Sequence, residues 1–295
     1  MTPWQPSTVV SEEVIDPAAV SALSALLDTG TPAPKAGDPL PPLWHWVALA
    51  RWPVSTLIGP DGHPARGDFL PPVELPRRMF AGGTVERHGV IHVGATVRRE
   101  ARVASVTPKS GRSGPLVIVE VEIRLFADGD APAVVERQQL LYRDADAEPR
   151  ASALPRAVEP VGAPLRRSGR WDWELRTDPT VLMRFSAATA NAHRIHYDWP
   201  YATAVEGYPN LVVHGPLITL ALAEVIRLER PGTSPARLRH RNLAPLFCAD
   251  PARVRRRNEP GDGVTLELAA ADASPGIVHA VLTADFPSPG KRFHA

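Results

Sequence analysis

Three of the chain's ten histidines, His193, His196 and His214, fall close together in the sequence. The local stretches read Asn191-Ala-His193-Arg-Ile-His196-Tyr-Asp198 and His214-Gly215-Pro216. Histidine both gives and takes a proton near neutral pH, so the chemistry this cluster suggests is proton transfer to and from a bound molecule or water. Asn191 and His196 are five positions apart, which on a regular helix separates them by about 140°. They converge on one molecule only if the segment is a turn or an irregular loop. The alternative is that His193 and His196 are ordinary capping or core-edge rings. A metal set of His193, His196 and Asp198 lacks a strong third-ligand spacing, and no metal is expected.

Gly215 opens the run GPLITLALAEVIRL (residues 215–228), apolar on nearly every side. A helix that is apolar all round must be enclosed by protein. Pro216 suits the first helical turn, and Pro231-Gly232 stops the helix. The first N–H groups of a helix have no intrahelical partner and sit at the positive end of its dipole. Proline supplies no N–H, so the free donors are those of Gly215, Leu217 and Ile218. With no side chain at Gly215, a ligand oxygen can approach its amide. Such a helix start can stabilise a developing oxyanion, such as the enolate of a thioester. It can equally be a simple glycine N-cap.

The elements that would hold these residues follow from proline and alternation. Fourteen of the 33 prolines lie at or before Pro76, and none occurs from Arg77 to Thr107, which leaves that stretch free to run as sheet. Strands are expected over 85–106, 116–126 and 133–142, with a hairpin break at Gly111–Gly114. A short helix at 16–27 and a proline-rich passage precede them. Residues 145–170 read as a proline-limited linker. The second half opens with a strand-like run, 171–185, followed by the buried helix and strands near 236–245, 252–257, 264–270 and 276–284. The stretches beginning at Phe80 and Leu238 share a weak pattern. The expectation is an α+β unit present twice: residues 1–144, the linker 145–170, and residues 171–295. The first copy's central helix is replaced by the passage from Asp38 to Pro76.

Composition narrows the classes. With 33 basic against 32 acidic residues and a net charge of +1, there is no surplus to grip a polyanion, and nucleic acid is not an expected partner. The single cysteine, Cys248, excludes an intramolecular disulfide and fits a reducing, cytoplasmic setting. No run approaches the roughly 18–20 apolar residues of a membrane span, and the start of the chain lacks the pattern of a secretory signal, so no membrane partner is expected.

Taken together, Phe185-Ser-Ala-Ala-Thr-Ala-Asn-Ala-His-Arg-Ile-His196 and the helix start Val213-His-Gly-Pro-Leu217 resemble the MaoC-like (R)-specific hydratase signature. The closer resemblance is to a double-hotdog subgroup spanning mesaconyl-CoA and itaconyl-CoA hydratases and the mitochondrial type 2 hydroxyacyl-thioester dehydratases. First-half stretches resemble that subgroup too: Leu40-Pro-Pro-Leu-Trp44, Gly59-Pro-Asp-Gly-His63, Leu75-Pro-Arg-Arg-Met79 and Lys109-Ser-Gly-Arg-Ser-Gly114. The resemblance implies a hotdog fold, a curved antiparallel sheet around a long helix, present twice. It implies reversible addition of water to a short α,β-unsaturated acyl-CoA, with mesaconyl- or itaconyl-CoA as the type.

By position, the resemblance makes His196 the catalytic histidine and Gly215 the amide that polarises the thioester carbonyl. The general signature has Asp where this chain has Asn191 and Asn where it has His193. An asparagine amide can hydrogen-bond but cannot take a proton. Asn191 would then orient water while His196, with His193, handles the proton. Arg194, Tyr197, Tyr208 and Arg241 are candidates for a substrate carboxylate or the CoA phosphates, as are Arg77-Arg78 and Arg255–Arg257. Each also reads as a solvated surface residue. Coenzyme A enters as part of the substrate, no other cofactor is expected, and a homodimer is compatible with this reading. Three alternatives stay open: a 3-hydroxyacyl dehydratase of fatty-acid synthesis, a hotdog thioesterase, and a non-catalytic acyl-CoA binder.

Overall fold

Proline-free alternation becomes sheet, and the sheet runs unbroken through both halves. The computed structural model describes residues 4–111, 114–144, 158–259, 261–271 and 276–287. The first half holds β1 (Thr8–Val14), α1 (Pro17–Leu27), α2 (His45–Ala48), β2 (Arg77–Arg87), β3 (Thr96–Gly111), β4 (Gly114–Phe126) and β5 (Val134–Arg143). The second holds β6 (Leu165–Gly169), β7 (Asp172–Leu175), α3 (Pro179–Ala188), α4 (Gly215–Glu229), β8 (Arg237–Asn242), β9 (Ala252–Arg257), β10 (Val264–Ala270) and β11 (Val278–Asp285). All pair antiparallel in the order β1-β3-β4-β5-β2-β8-β11-β10-β9-β7-β6.

The seam between the halves is the β2–β8 pair, where Gly82 faces Arg241 and Gly83 faces His240. Laying the stretch from Phe80 on that from Leu238 puts Gly82 in the place of His240 and Gly83 in the place of Arg241. The two facing pairs simply exchange, so the weak repeat in the sequence is an approximate two-fold axis at this seam. The double hotdog expected from the resemblance is the architecture observed.

Helix α4 carries the core of the second half. Residues 217–226 are all buried, Thr219 and Glu224 included, and the helix packs on β2, β10 and β11. Glu224 is neutralised by Arg227 one turn on, at 2.5 Å, which lets a carboxylate sit inside. In the first half, α2 is the only regular α-helix between Asp38 and Pro76 among the described residues. The proline-rich passage does replace a long central helix.

Several boundaries differ from the sequence reading. The run 85–106 is not one strand: β2 ends at Arg87 and β3 starts at Thr96, with a turn through Gly89 and Gly94 between them. The strand-like run 171–185 is strand only to Leu175. Asp178 then caps α3, its Oδ1 accepting from the Val181 amide at 2.7 Å, with Pro179 in the first turn. A cap and a well-placed proline outweigh the β-branched residues there. The span read as linker includes β6, paired with β7, while residues 145–157 lie outside those described. Strand β1 lies outside the strands expected from the sequence. It is an edge strand on β3 with most residues exposed, so it carries little apolar signal. No helix among the described residues is long and apolar enough to cross a membrane.

Candidate active site

The segment joining α3 to α4 holds the histidines in an irregular turn. After α3 the chain reverses through Ala190 in a left-handed conformation (φ 51°), and the Asn191 amide returns to Ser186 O at 2.9 Å. The Asn191 side-chain Oδ1 accepts from the His193 amide at 3.0 Å, fixing the turn that leads into a 3₁₀ turn at Arg194–His196. The segment is thus non-helical, as convergence of Asn191 and His196 on one molecule would require.

His196 is buried, and its Nδ1 lies 2.7 Å from the Val212 carbonyl. A carbonyl only accepts, so Nδ1 carries the proton and Nε2 keeps its lone pair. The His196 ring stacks on His214 at 3.6 Å and meets the edge of His193 at 5.4 Å. His214 is fully buried, with Nε2 against Ser186 Oγ at 2.8 Å. It is also the N-cap of α4, so the histidine stack stands directly before the Gly215 amide. A Cβ on Gly215 would lie 2.6 Å from Asn242 Nδ2 and 3.5 Å from Phe80 Cδ1, so the helix start is closely walled. Asn242 Nδ2 donates to Phe80 O at 3.0 Å and holds that wall in place.

Two residues absent from the sequence-derived candidates join the cluster from the first half. The loop Gly59–His63 docks on the α3–α4 segment: the Arg194 amide donates to Asp61 O at 2.9 Å, and Arg194 Nη1 to Pro60 O at 3.0 Å. Gly62 has φ 87°, and a Cβ there would fall 1.8 Å from Ala192 O. The approach therefore requires glycine. It places the His63 ring on His193 at 3.9 Å, with His63 Nδ1 3.0 Å from Asp61 Oδ2. Proximity of Asp61 and His63 to the histidines arises only from this docking. The local signal was the Asp-Gly turn followed by a histidine.

Burial sets the protonation of these rings. It pushes His196 down to about 3, against the hydrogen bond to Val212, and His63 down to about 4, against Asp61. His193 and His214 are held below the usual imidazole range by burial first and by neighbouring rings second. Burial alone would raise Asp61, but the hydrogen bonds and charge of His63 hold it below the ordinary carboxylate value.

The other candidates are placed differently. Arg194 is a clamp: it binds Asp198 (Nε–Oδ2 2.9 Å) and covers the Tyr201 ring at 4.1 Å. Tyr197 is exposed, with its hydroxyl donating to Ala192 O at 2.9 Å. Tyr208 lies under the Arg77 guanidinium at 5.4 Å. Arg241 is exposed on the face of β8 opposite buried His240. Among the described residues, no hydrogen bond or ring contact joins the side chain of any of these four to His196. Asp198 is engaged by Arg194, so His193, His196 and Asp198 do not assemble as ligands. The polar atoms of Asp61, His63 and His193 do gather within 4.8 Å of one another. The Asp61–His63 hydrogen bond and ring stacking account for that spacing without an ion.

A cavity of about 270 Å³ opens beside the helix start, between the halves. Asn191 and Pro216 line it from the second half; Trp46, Phe80, Arg99 and Gln138 line it from the first. It lies where the proline-rich passage stands in for a helix. A larger groove, about 1060 Å³, lies at the opposite end of α4 around Arg227 and Arg230, away from the histidines.

A doubled hotdog sheet, a buried helix whose start follows a stack of neutral histidines, and a cavity beside its first turn define the MaoC-like class of hotdog proteins. The chain belongs to the hydroxyacyl-thioester dehydratase type 2 family, whose model matches residues 43–248. It is 41% identical over 277 residues to the mesaconyl-C(4)-CoA hydratase of Chloroflexus aurantiacus, covering 93% of this chain and 94% of that protein. It is 25% identical over 242 residues to the mitochondrial hydroxyacyl-thioester dehydratase type 2 of Schizosaccharomyces pombe, covering 73% and 77%. The crystal structure of HtdX from Mycobacterium tuberculosis superposes with a TM-score of 0.64 at 20% identity, covering 96% of this chain and all of that one, a likeness of fold. The protein is an enzyme of the hydratase and dehydratase class acting on acyl thioesters.

Proposed function

We propose that the enzyme catalyses reversible hydration of a short α,β-unsaturated acyl-CoA that carries a carboxylate, of the mesaconyl- or itaconyl-CoA type. The observation that carries this reading is His196, its Nε2 fixed as an acceptor by the Nδ1–Val212 bond, stacked on His214 at the N-cap of α4, whose first turn at Pro216 lines a small cavity together with Asn191. The cavity lies below the roughly 300–1,000 Å³ of drug-sized sites, which suits a short acyl group. Arg99 is the arginine on its first-half wall; it lies 4.0 Å from Glu13 and near Glu136, which is held by His45 and Trp46, and it would receive the acyl carboxylate. The 41% identity to a mesaconyl-C(4)-CoA hydratase supports the same substrate type.

In this mechanism the thioester oxygen accepts from the Gly215 N–H. Water, oriented by the Asn191 amide, loses a proton to His196 Nε2 as its oxygen bonds to the β-carbon. The C=C electron pair moves through the α-carbon to the thioester oxygen, forming an enolate held by Gly215. The enolate collapses as the α-carbon takes the proton back from His196, for a net gain of one water. The balance needs no metal or redox cofactor.

The test is a panel of enoyl-CoA and 3-hydroxyacyl-CoA substrates read by mass spectrometry. Parent enzyme is expected to add water to carboxylate-bearing short enoyl-CoAs, and His196→Ala to lose about 10²–10⁴-fold in rate. Arg99→Gln is expected to lose the preference for the carboxylate while neutral short chains still turn over. Release of free CoA without water exchange would identify a thioesterase instead. Turnover confined to carrier-protein thioesters would identify a fatty-acid dehydratase.

A further inference from the structure

The reaction above creates a positive charge in a buried place. His196 becomes an imidazolium when it takes the water proton, and a buried cation is costly without a nearby negative charge. The α3–α4 segment supplies none: Asp198 is bound to Arg194 through Nε at 2.9 Å and Nη2 at 2.8 Å, and position 191 is an amide.

The carboxylate comes from the other half. Asp61 accepts from His63 Nδ1 at 3.0 Å and from the His63 amide at 2.9 Å, so both of its oxygens are held by one residue. His63 Nδ1 carries the shared proton, because a carboxylate only accepts there. From His63 the rings continue in contact: to His193 at 3.9 Å, from His193 to His196 at 5.4 Å, and from His196 to His214 at 3.6 Å. The cations acting on this row are Arg66 and Arg78, both on the His63 side, and each opposes a further positive charge; Arg194, beside Tyr201, is bound to Asp198. Asp61 is the one negative group that acts on both His63 and His193.

We propose that Asp61 and His63 form a positioning dyad for the hydration site, supplied by the first half of the chain. The Asp61 carboxylate, acting through His63 and His193, stabilises the positive charge His196 acquires from the water proton. The dyad gains and loses no proton itself; the proton stays on His196 until the α-carbon takes it. The proposal rests on the hydratase reading. It also gives the first half a part in the chemistry beyond walling the cavity.

The experiment compares kcat and KM of parent, Asp61→Asn, Asp61→Glu and the double variant Asp61→Asn/Asn191→Asp on the best substrate of the panel. Asp61→Asn keeps the shape and removes the charge. It is expected to lower kcat about tenfold or more, with KM within about twofold. Asp61→Glu keeps the charge and most of kcat. The double variant, which places a carboxylate where Asn191 Oδ1 now meets the His193 amide, regains part of the lost kcat. Parent-like kcat in Asp61→Asn overturns the proposal. So does a loss that appears only in KM, or one that the relocated carboxylate does not recover at all. Should Asp61→Asn fail to fold, His63→Gln is read the same way: it leaves Asp61 a hydrogen-bond partner but removes the ring against His193, and an unchanged kcat overturns the dyad. Absence of turnover by the parent would remove the hydratase reading itself, an outcome distinct from failure of the dyad.

Discussion

A base must be neutral to act, and burial keeps His196 neutral well below the pH where an exposed imidazole would be protonated. With its value pushed down to about 3, the reactive form persists as pH falls through 6.5. kcat/KM is therefore expected to stay flat from pH 8 to about 5, so long as the protein remains folded. A pH–rate profile with a midpoint near 6.5 would show that His196 titrates as an exposed ring and would contradict its placement. The sequence made His193, His196 and Gly215 legible as a set, because they lie close in the chain and Pro216 marks the helix start. It did not make Asp61 and His63 legible as site residues. They stand more than a hundred positions away, and only a tertiary contact brings them in. Nor does sequence spacing reveal whether an arginine is free: Arg194 is fully engaged with Asp198, Pro60 and Tyr201.

Elements differ in how much of themselves they write into the sequence. α4 was readable because it is apolar on all sides and is stopped by proline and glycine; its strands β9 and β10 were readable because they alternate cleanly between turn residues. α3 was not, since its evidence is a single cap at Asp178, and β1 was not, since an exposed edge strand needs little apolar pattern. The loop Gly59–His63 has no regular structure, yet it is held in place as firmly as an element through Gly62. Gly62→Ala would need Ala192 to move and would hold alanine at φ 87°, a strain of about 1–2 kcal/mol. The expected outcome is a modest fall in melting temperature and a fall in kcat of about tenfold, because His63 no longer reaches His193. Gly67→Ala is the control. It carries a similar backbone angle (φ 95°) with its nearest neighbour at 3.8 Å, and is expected to cost stability but spare kcat. Equal losses of kcat in the two variants would mean that strain, not docking, is being measured.

At the scale of the whole molecule, the histidines tie stability to pH. His63, His193, His196, His214 and His240 are all held below the ordinary imidazole value, in each case with burial as the largest cause. In the unfolded chain each titrates near 6.5. Between that value and the folded values, about 4 for His63 and His240 and about 3 for His196, the unfolded state binds more protons. Their contribution is therefore complete above pH 6.5 and is lost progressively as pH falls toward 4. The lowered carboxylates Asp61, Glu122, Glu136 and Glu229 add a loss of the same sign, but in the lower window below their unfolded values. One pH unit below 6.5 costs on the order of 1 kcal/mol for a ring that stays neutral in the fold, a sizeable share of a typical 5–15 kcal/mol stability. Urea unfolding at pH 7.5 and 5.5 is expected to show an unfolding free energy lower by several kcal/mol at the more acid pH, seen as a lower midpoint at an unchanged slope. His240 isolates the effect. It is 2% exposed, lies between Phe80 and Trp46, and has neither ring nitrogen hydrogen-bonded among the described residues. His240→Leu should remove one ring's share of the pH dependence, on the order of 1 kcal/mol between these two conditions, without entering the row from His63 to His214. A variant with the parent's full pH dependence would place the acid sensitivity of the fold elsewhere than in its buried histidines.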